Sequence, residues 1–165
     1  MADNQPITTI ATPSDREIKV TRRFNAPRAL VWKAWTQPEY LAQWWGPQGW
    51  SLPVCNVDLR PGGKWRYCMA GPQGEESCGM AIYHEIVEPE RLVYTDYFAD
   101  AQGNPIPGMP ESRMTVHLTE NDGRTLLNST ALYPTKEDRD RVIQMGMQEG
   151  MTESLNRLDE FLHNA

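Results

Sequence analysis

Between Trp50 and Tyr133 the chain divides into strand-length runs separated by turn chemistry, and this succession constrains the fold more than any other feature of the sequence. The runs span residues 50–59, 64–70, 77–87, 91–98, 113–119 and 124–133. Pro61-Gly62-Gly63, Gly71-Pro72-Gln73-Gly74, Glu88-Pro89-Glu90 and Asn121-Asp122-Gly123 supply the turns. Connections this short cannot carry a crossover, so neighbouring strands are expected to run antiparallel as a meander. A turn centred on Gln73 also sets a register, with Cys68 opposite Cys78, Tyr67 beside Gly79 and Trp65 beside Ala81. Residues 99–110 carry Gly103, Pro105, Pro107, Gly108 and Pro110 and are too long for a hairpin turn, which marks a loop of the kind that often holds function.

The flanks have a different period. Residues 17–24 alternate and place Ile18, Val20 and Phe24 largely on one side of a first strand. Asn25 is expected to cap a helix with Pro27 in its first turn, and Thr36-Gln37-Pro38-Glu39 has capping-box spacing for a second short helix through Trp44 and Trp45. Thr135, with Asp138 three residues on, is expected to cap a single long helix that runs to the C-terminus. At about 100° per residue, Met147, Leu155, Leu158 and Leu162 fall within about 40° of the Met151 direction, so the helix has one apolar stripe. Such a helix at the end of an antiparallel sheet belongs across its concave face. Residues 1–15 lack a sustained period and are expected to be a flexible tail, leaving 16–165 as one domain.

Composition removes several functions. The chain has 16 Lys plus Arg against 22 Asp plus Glu, a net charge of −6, which is the wrong sign for a general nucleic-acid binder. No apolar run approaches the length that spans a bilayer, and no secretory leader pattern is present, so membrane insertion is not expected and a cytoplasmic location is. Cys55, Cys68 and Cys78 form neither a disulfide framework nor a zinc pattern, and all three thiols are expected to be reduced. His84, His117 and His163 have no partner at metal-ligand spacing and read as sheet or surface histidines. No phosphate-binding loop, dinucleotide fingerprint or nucleophile elbow occurs, so no catalytic residue, metal or cofactor is implied. Gly146 and Gly150 have the spacing that seats a helix closely on its neighbour. Arg16, Lys19, Arg22, Arg23, Arg28 and Lys33 form a locally basic stretch, expected to be a solvated face.

Aromatic residues are concentrated at Trp32, Trp35, Trp44, Trp45 and Trp50 and joined by Trp65, Tyr67, Tyr83, Tyr94 and Tyr97. They can build core or line a cavity. The helix favours a cavity, because Gln144 and Gln148 lie within about 60° of the Met151 direction and make the inward face polar near its start. Methionines would give such a pocket an adaptable lining.

Several motifs together resemble the SRPBCC or START-like superfamily, and within it the group named for homology to the activator of heat-shock-protein-90 ATPase. They are Ala26-Pro27 with Val31-Trp32, Trp35-Thr36-Gln37-Pro38-Glu39, Trp44-Trp45-Gly46-Pro47, the segments 58–65 and 85–93, and Gly150-Met151 with Leu155 and Leu158. The resemblance implies an α+β helix-grip fold, a curved antiparallel β-sheet wrapped around a long C-terminal α-helix, with two short helices after the first strand and a cavity between. It also implies no universal catalytic residue, and this chain has Met151 where relatives commonly carry an aromatic side chain. The expectation is a non-catalytic domain that binds a small hydrophobic or amphipathic ligand through Trp65, Tyr67, Met69, Tyr83, Tyr94, Met147, Met151 and Leu155, with Gln144 and Gln148 at the polar end. The alternatives are a co-chaperone-like interaction module, for which Arg22, Arg23 and Arg28 are the candidate surface, and an enzyme with Glu85 or Asp96 inside the pocket. A chaperone partner is not favoured, since a closed grip fold leaves little free surface.

Overall fold

The structure, a computed structural model, describes residues 8–164. An eight-stranded antiparallel sheet is built from β1 (Thr9–Ala11), β2 (Glu17–Phe24), β3 (Ser51–Val57), β4 (Lys64–Ala70), β5 (Glu76–Val87), β6 (Arg91–Ala99), β7 (Glu111–Asn121) and β8 (Arg124–Leu132). Its spatial order is β1-β2-β8-β7-β6-β5-β4-β3. Strands β3 to β8 form the expected meander, and pairing of β2 with β8 brings the start of the chain beside its last strand. Helices α1 (Arg28–Thr36) and α2 (Pro38–Trp44) follow β2, and α3 (Lys136–Gln144) and α4 (Met147–His163) close the chain. This is the helix-grip fold. No described helix is long and apolar enough to cross a membrane.

The β4–β5 register is the expected one, Cys68 against Cys78, Tyr67 against Gly79 and Trp65 against Ala81. The thiol expectation is overturned: Cys68 and Cys78 are joined by a disulfide, with Cys55 the free cysteine among the described residues. Directly opposed residues of adjacent antiparallel strands bring their Cβ atoms within reach of an S–S bond, so the register itself makes the bridge possible. Part of the tail expectation is also corrected. Residues 9–11 are not free chain but an edge strand on β2, with Ile10 opposite Val20; residues 1–7 lie outside the described ones.

The helix termini follow other rules than the expected caps. Pro27, not Asn25, is the N-cap of α1 and makes no side-chain cap bond; the Arg28 backbone N–H donates instead to Glu120 Oε1 at 2.7 Å. Thr36 does not cap α2, because its hydroxyl donates back to the Trp32 carbonyl at 2.8 Å, and Gln37 takes the N-cap position before Pro38. The Thr135 cap is present, accepting from the Asp138 N–H at 3.0 Å. The expected single C-terminal helix is two, broken at Met145-Gly146, where Gly146 has φ 87°. That left-handed conformation is open to glycine and costly for other residues, and it stops a helix whose side-chain periodicity would otherwise continue. Close seating through Gly146 and Gly150 is not found, since a Cβ at either position would meet nothing nearer than 4.0 Å.

Candidate functional site

The sheet's inner face explains where space is left. Across β4, β5 and β6 the facing residues run Tyr67, Gly79, Phe98 in one row and Trp65, Ala81, Asp96 in the next, which continues to Ser112 on β7. A third row runs Tyr83, Tyr94, Met114 and Ala131. Each row sets large side chains beside Gly, Ala or Ser, so large groups lean over small ones and the rows do not fill evenly. Gly79 is the clearest case. A Cβ there would fall 2.3 Å from the Tyr67 ring and hydroxyl, so the missing side chain lets Tyr67 lie over β5 towards β6. Its hydroxyl arrives 3.4 Å from Asp96 Oδ1.

Two different ends result. At one, Trp35, Trp44, Trp65 and Tyr83 are at most 1% exposed and Leu155 and Leu158 of α4 are fully buried. Edge-to-face contacts join Trp35 to Trp44 at 5.1 Å and Trp45 to Trp65 at 4.8 Å, tying the α1–α2 pair to the sheet. At the other end is a pocket of about 320 Å³ between the sheet and the α3–α4 break. Met147, Met151 and Val142 come to it from the helices, Pro110 from the β6–β7 loop, and Trp45 joins it to the aromatic core. Arg141 of α3 donates to the Gly108 carbonyl at 2.9 Å and holds the loop over this end, and Arg66, from the other face of β4, donates to the Ala101 carbonyl.

Among the sequence-predicted residues, Tyr67, Met69, Tyr94, Met147 and Met151 border this pocket. Trp65, Tyr83 and Leu155 do not; they are fully packed in the dry end behind it. The two glutamines are elsewhere. Gln144 ends α3 and is exposed, because the break at Gly146 resets the helical phase from which its direction was calculated. Gln148 faces a shallow surface depression with Ile10, Thr152 and Glu153, on the side where β1 covers the sheet edge.

The polar end expected from the glutamines is supplied by the sheet. Asp96, Ser112 and Tyr133 border the pocket, and Asp96 is the one charged side chain there among the described residues. Burial pushes its carboxyl up to about 7, against the opposing pull of hydrogen bonds from the Tyr67 hydroxyl and the Tyr97 N–H. Burial, and then the neighbouring Asp96 charge, hold Tyr67 and Tyr94 well above the usual tyrosine range, and the same causes push Tyr133 up to about 12. Asp96 was legible as a candidate, two residues beyond Tyr94 on the same strand face. Ser112 and Tyr133 needed the β6–β7 pairing across a long loop, which residue spacing does not supply. Glu85, the other acidic candidate, is exposed and paired with Arg91 at 3.0 Å.

The basic stretch is not a uniform solvated face. Arg22 is 3% exposed, donates to Thr8 Oγ1 and Asn156 Oδ1 and lies 3.7 Å from Asp159, so it is an internal tie between β2 and α4. Burial lowers its pKa, with Asp159 opposing the shift. Arg28 lies 3.8 Å from Glu90. Arg16, Lys19, Arg23 and Lys33 remain exposed, and none of them forms a salt bridge among the described residues.

A curved sheet gripping a C-terminal helix, with an aromatic- and methionine-walled pocket opening where that helix breaks, defines a START-like domain. The chain belongs to the family described as activator of Hsp90 ATPase homolog 1-like protein, whose sequence profile matches residues 25–163. It is similar to the crystal structure of protein Ms6760 from Mycobacterium smegmatis, at 32% identity and TM-score 0.87 over 94% of this chain and 97% of that one. It is also similar to an Arthrobacter aurescens protein, at 28% identity and TM-score 0.88 over 95% and 92% of the two chains. A Staphylococcus epidermidis protein is 33% identical, with TM-score 0.82 and 94% of each chain covered. Among curated proteins there is no match.

Proposed function

We propose that the domain binds a small amphipathic molecule in the pocket between the sheet and the α3–α4 break, without transforming it. The observation that carries this reading is the two-sided lining: methionine, aromatic and aliphatic side chains on most of the wall, with Asp96, Ser112 and Tyr133 grouped on the sheet side. A pocket of about 320 Å³ suits a ligand of modest size, and a packed core would leave no carboxylate facing open space. The ligand's apolar body would lie against Met147 and Met151 and its polar end near Asp96. Titration with the neutral fluorescent amphiphile N-phenyl-1-naphthylamine tests the reading. Saturable enhancement that is weakened by Met151→Trp supports it, and binding unchanged by that substitution places the ligand elsewhere.

A second reading, acid–base chemistry on the bound molecule, has Asp96 and Tyr67 in its favour. A carboxyl poised to gain or lose a proton near neutral pH inside a pocket is what such a reaction needs. Mass analysis of molecules that co-purify with the protein, before and after incubation, separates binding from turnover. A cytoplasmic location belongs to the same proposal; the Cys68–Cys78 bridge, which a reducing compartment tends to open, bears against it.

A further inference from the structure

We propose that the pocket selects organic cations, taking an ammonium group on an apolar body, with Asp96 as the counter-charge and the surrounding aromatic side chains as the walls that receive it. The inference rests on the binding reading above and gives that ligand its chemical class.

The placement of charge is the first support. No Lys or Arg borders the pocket among the described residues, so Asp96 has no protein cation to neutralise it, and its one side-chain partner is the neutral Tyr67 hydroxyl at 3.4 Å. A buried carboxylate without a cation is costly, and a ligand that brings the positive charge recovers that cost. An anionic ligand would add a second negative charge, in a chain whose net charge is already −6.

The walls are the second support. Trp45, Tyr67, Tyr94, Phe98 and Tyr133 all border the pocket that Asp96 faces. Aromatic rings attract cations through their quadrupoles, most strongly where water is excluded, and alkylated ammonium groups suit such walls because they are weakly hydrated. Rings and carboxylate therefore favour the same sign of charge. An anion would meet ring faces and Asp96 alike as repulsive, and a neutral polar head could donate a hydrogen bond to Asp96 but would bring no charge to balance it.

The arrangement also predicts a pH dependence. The groups facing Asp96 are Tyr67 from β4, Tyr94 on β6 and Tyr133 after β8, all held above the ordinary tyrosine range and so neutral in this interval. Ser112 of β7, Gly79 and Ala81 of β5, and Val142, Met147 and Met151 of α3 and α4 do not titrate. Asp96, pushed up to about 7, is the group that changes charge. A permanently charged ligand should bind more tightly as the pH rises through that value, because it needs the ionised carboxylate.

The test uses three ligands with one phenethyl body: phenethyltrimethylammonium, the neutral 2-methyl-4-phenylbutan-2-ol and the anionic 3-phenylpropanoate. Binding is followed by the methyl signals of 13C-methionine-labelled protein, with Met147 and Met151 reporting from the pocket wall. The expected result is that the ammonium binds at least about tenfold more tightly than the alcohol at about pH 8 and loses about tenfold by about pH 5.5. Asp96→Asn should weaken the ammonium about tenfold at about pH 8, remove its pH dependence and change the alcohol little. If the alcohol or the anion shifts Met147 and Met151 with equal or higher affinity, the cation assignment fails while the pocket stands. Unchanged ammonium binding in Asp96→Asn also overturns the assignment. If none of the three moves those methyl signals, the binding reading falls and the assignment falls with it.

Discussion

The two ends of the grip are made from the same kinds of residue and behave differently. Trp65 and Tyr83 are packed solid, whereas Tyr67, two residues along β4 from Trp65, and Tyr94, opposite Tyr83 on β6, border open space. Strand chemistry does not make the difference. At the dry end, α1, α2 and the Leu155–Leu158 stretch of α4 fill the concave face; at the other end, Gly146 breaks the helix and nothing of equal bulk covers the sheet. An aromatic strand face becomes core or wall according to what lies opposite it.

The largest test of this contrast sets Trp65→Ala against Met147→Ala. Removing the fully buried indole should cost about 3–5 kcal/mol in chemical denaturation, since the cavity it leaves cannot collapse, while the half-buried methionine at the pocket should cost about 1 kcal/mol or less. Comparable losses at both sites would mean that the pocket end is packed as well. Next in size is the covalent clamp at the pocket's edge. Reducing the Cys68–Cys78 bridge, which spans a sequence separation of 10, should cost roughly 2–3 kcal/mol by loop-closure entropy. Thiol titration of the unreduced, unfolded protein should find one free thiol, Cys55; three would mean that the bridge is not formed.

Asp96 gives an effect with a definite sign: its shift corresponds to about 4 kcal/mol, which water reaching the half-buried carboxyl through the open pocket reduces to about 2 kcal/mol. An ordinary aspartate ionises near 3.8, and folding moves Asp96 to about 7. Between those values the folded chain keeps a proton that the unfolded chain has released, so stability falls as pH rises through that window and levels off above it. Asp96→Asn should therefore stabilise the fold by about 2 kcal/mol at about pH 8 and by almost nothing at about pH 4. A gain that does not vary with pH would show that the carboxyl is solvated and the pocket end wet. The smallest expected effect is that of Met151→Trp. Bulk placed in open space should leave stability within about 1 kcal/mol of the wild type, with a gain if the indole fills the void. A markedly lower thermal midpoint would class Met151 with the dry end.

Much of the site could be read from local pattern, and the errors have identifiable physical sources. Tyr67 and Met69 follow from strand alternation and Met147 and Met151 from helical period, and all four border the pocket. Gln144 leaves the inward face because helical phase carries over only along a continuous helix, and one left-handed glycine ends it. Cysteine number and spacing point to reduced thiols, whereas the β4–β5 register, itself legible from the turn, sets Cys68 and Cys78 face to face. By residue type Arg22 is expected at the surface, but strand alternation turns it inward to Asn156 and Asp159.

Turn chemistry, alternation and the apolar stripe of the last helix are local properties, and through them the sequence by itself determined the strand order of the meander, the β4–β5 register and the grip of helix on sheet. Which aromatics became core and which became wall was decided by the tertiary structure alone. That outcome depends on what stands across the concave face, and so on a helix break and on pairings between residues far apart in the chain. The same holds for the polar end. Asp96, Ser112 and Tyr133 are spread over β6, β7 and the exit of β8, and only the assembled sheet turns three separate side chains into one face of a pocket.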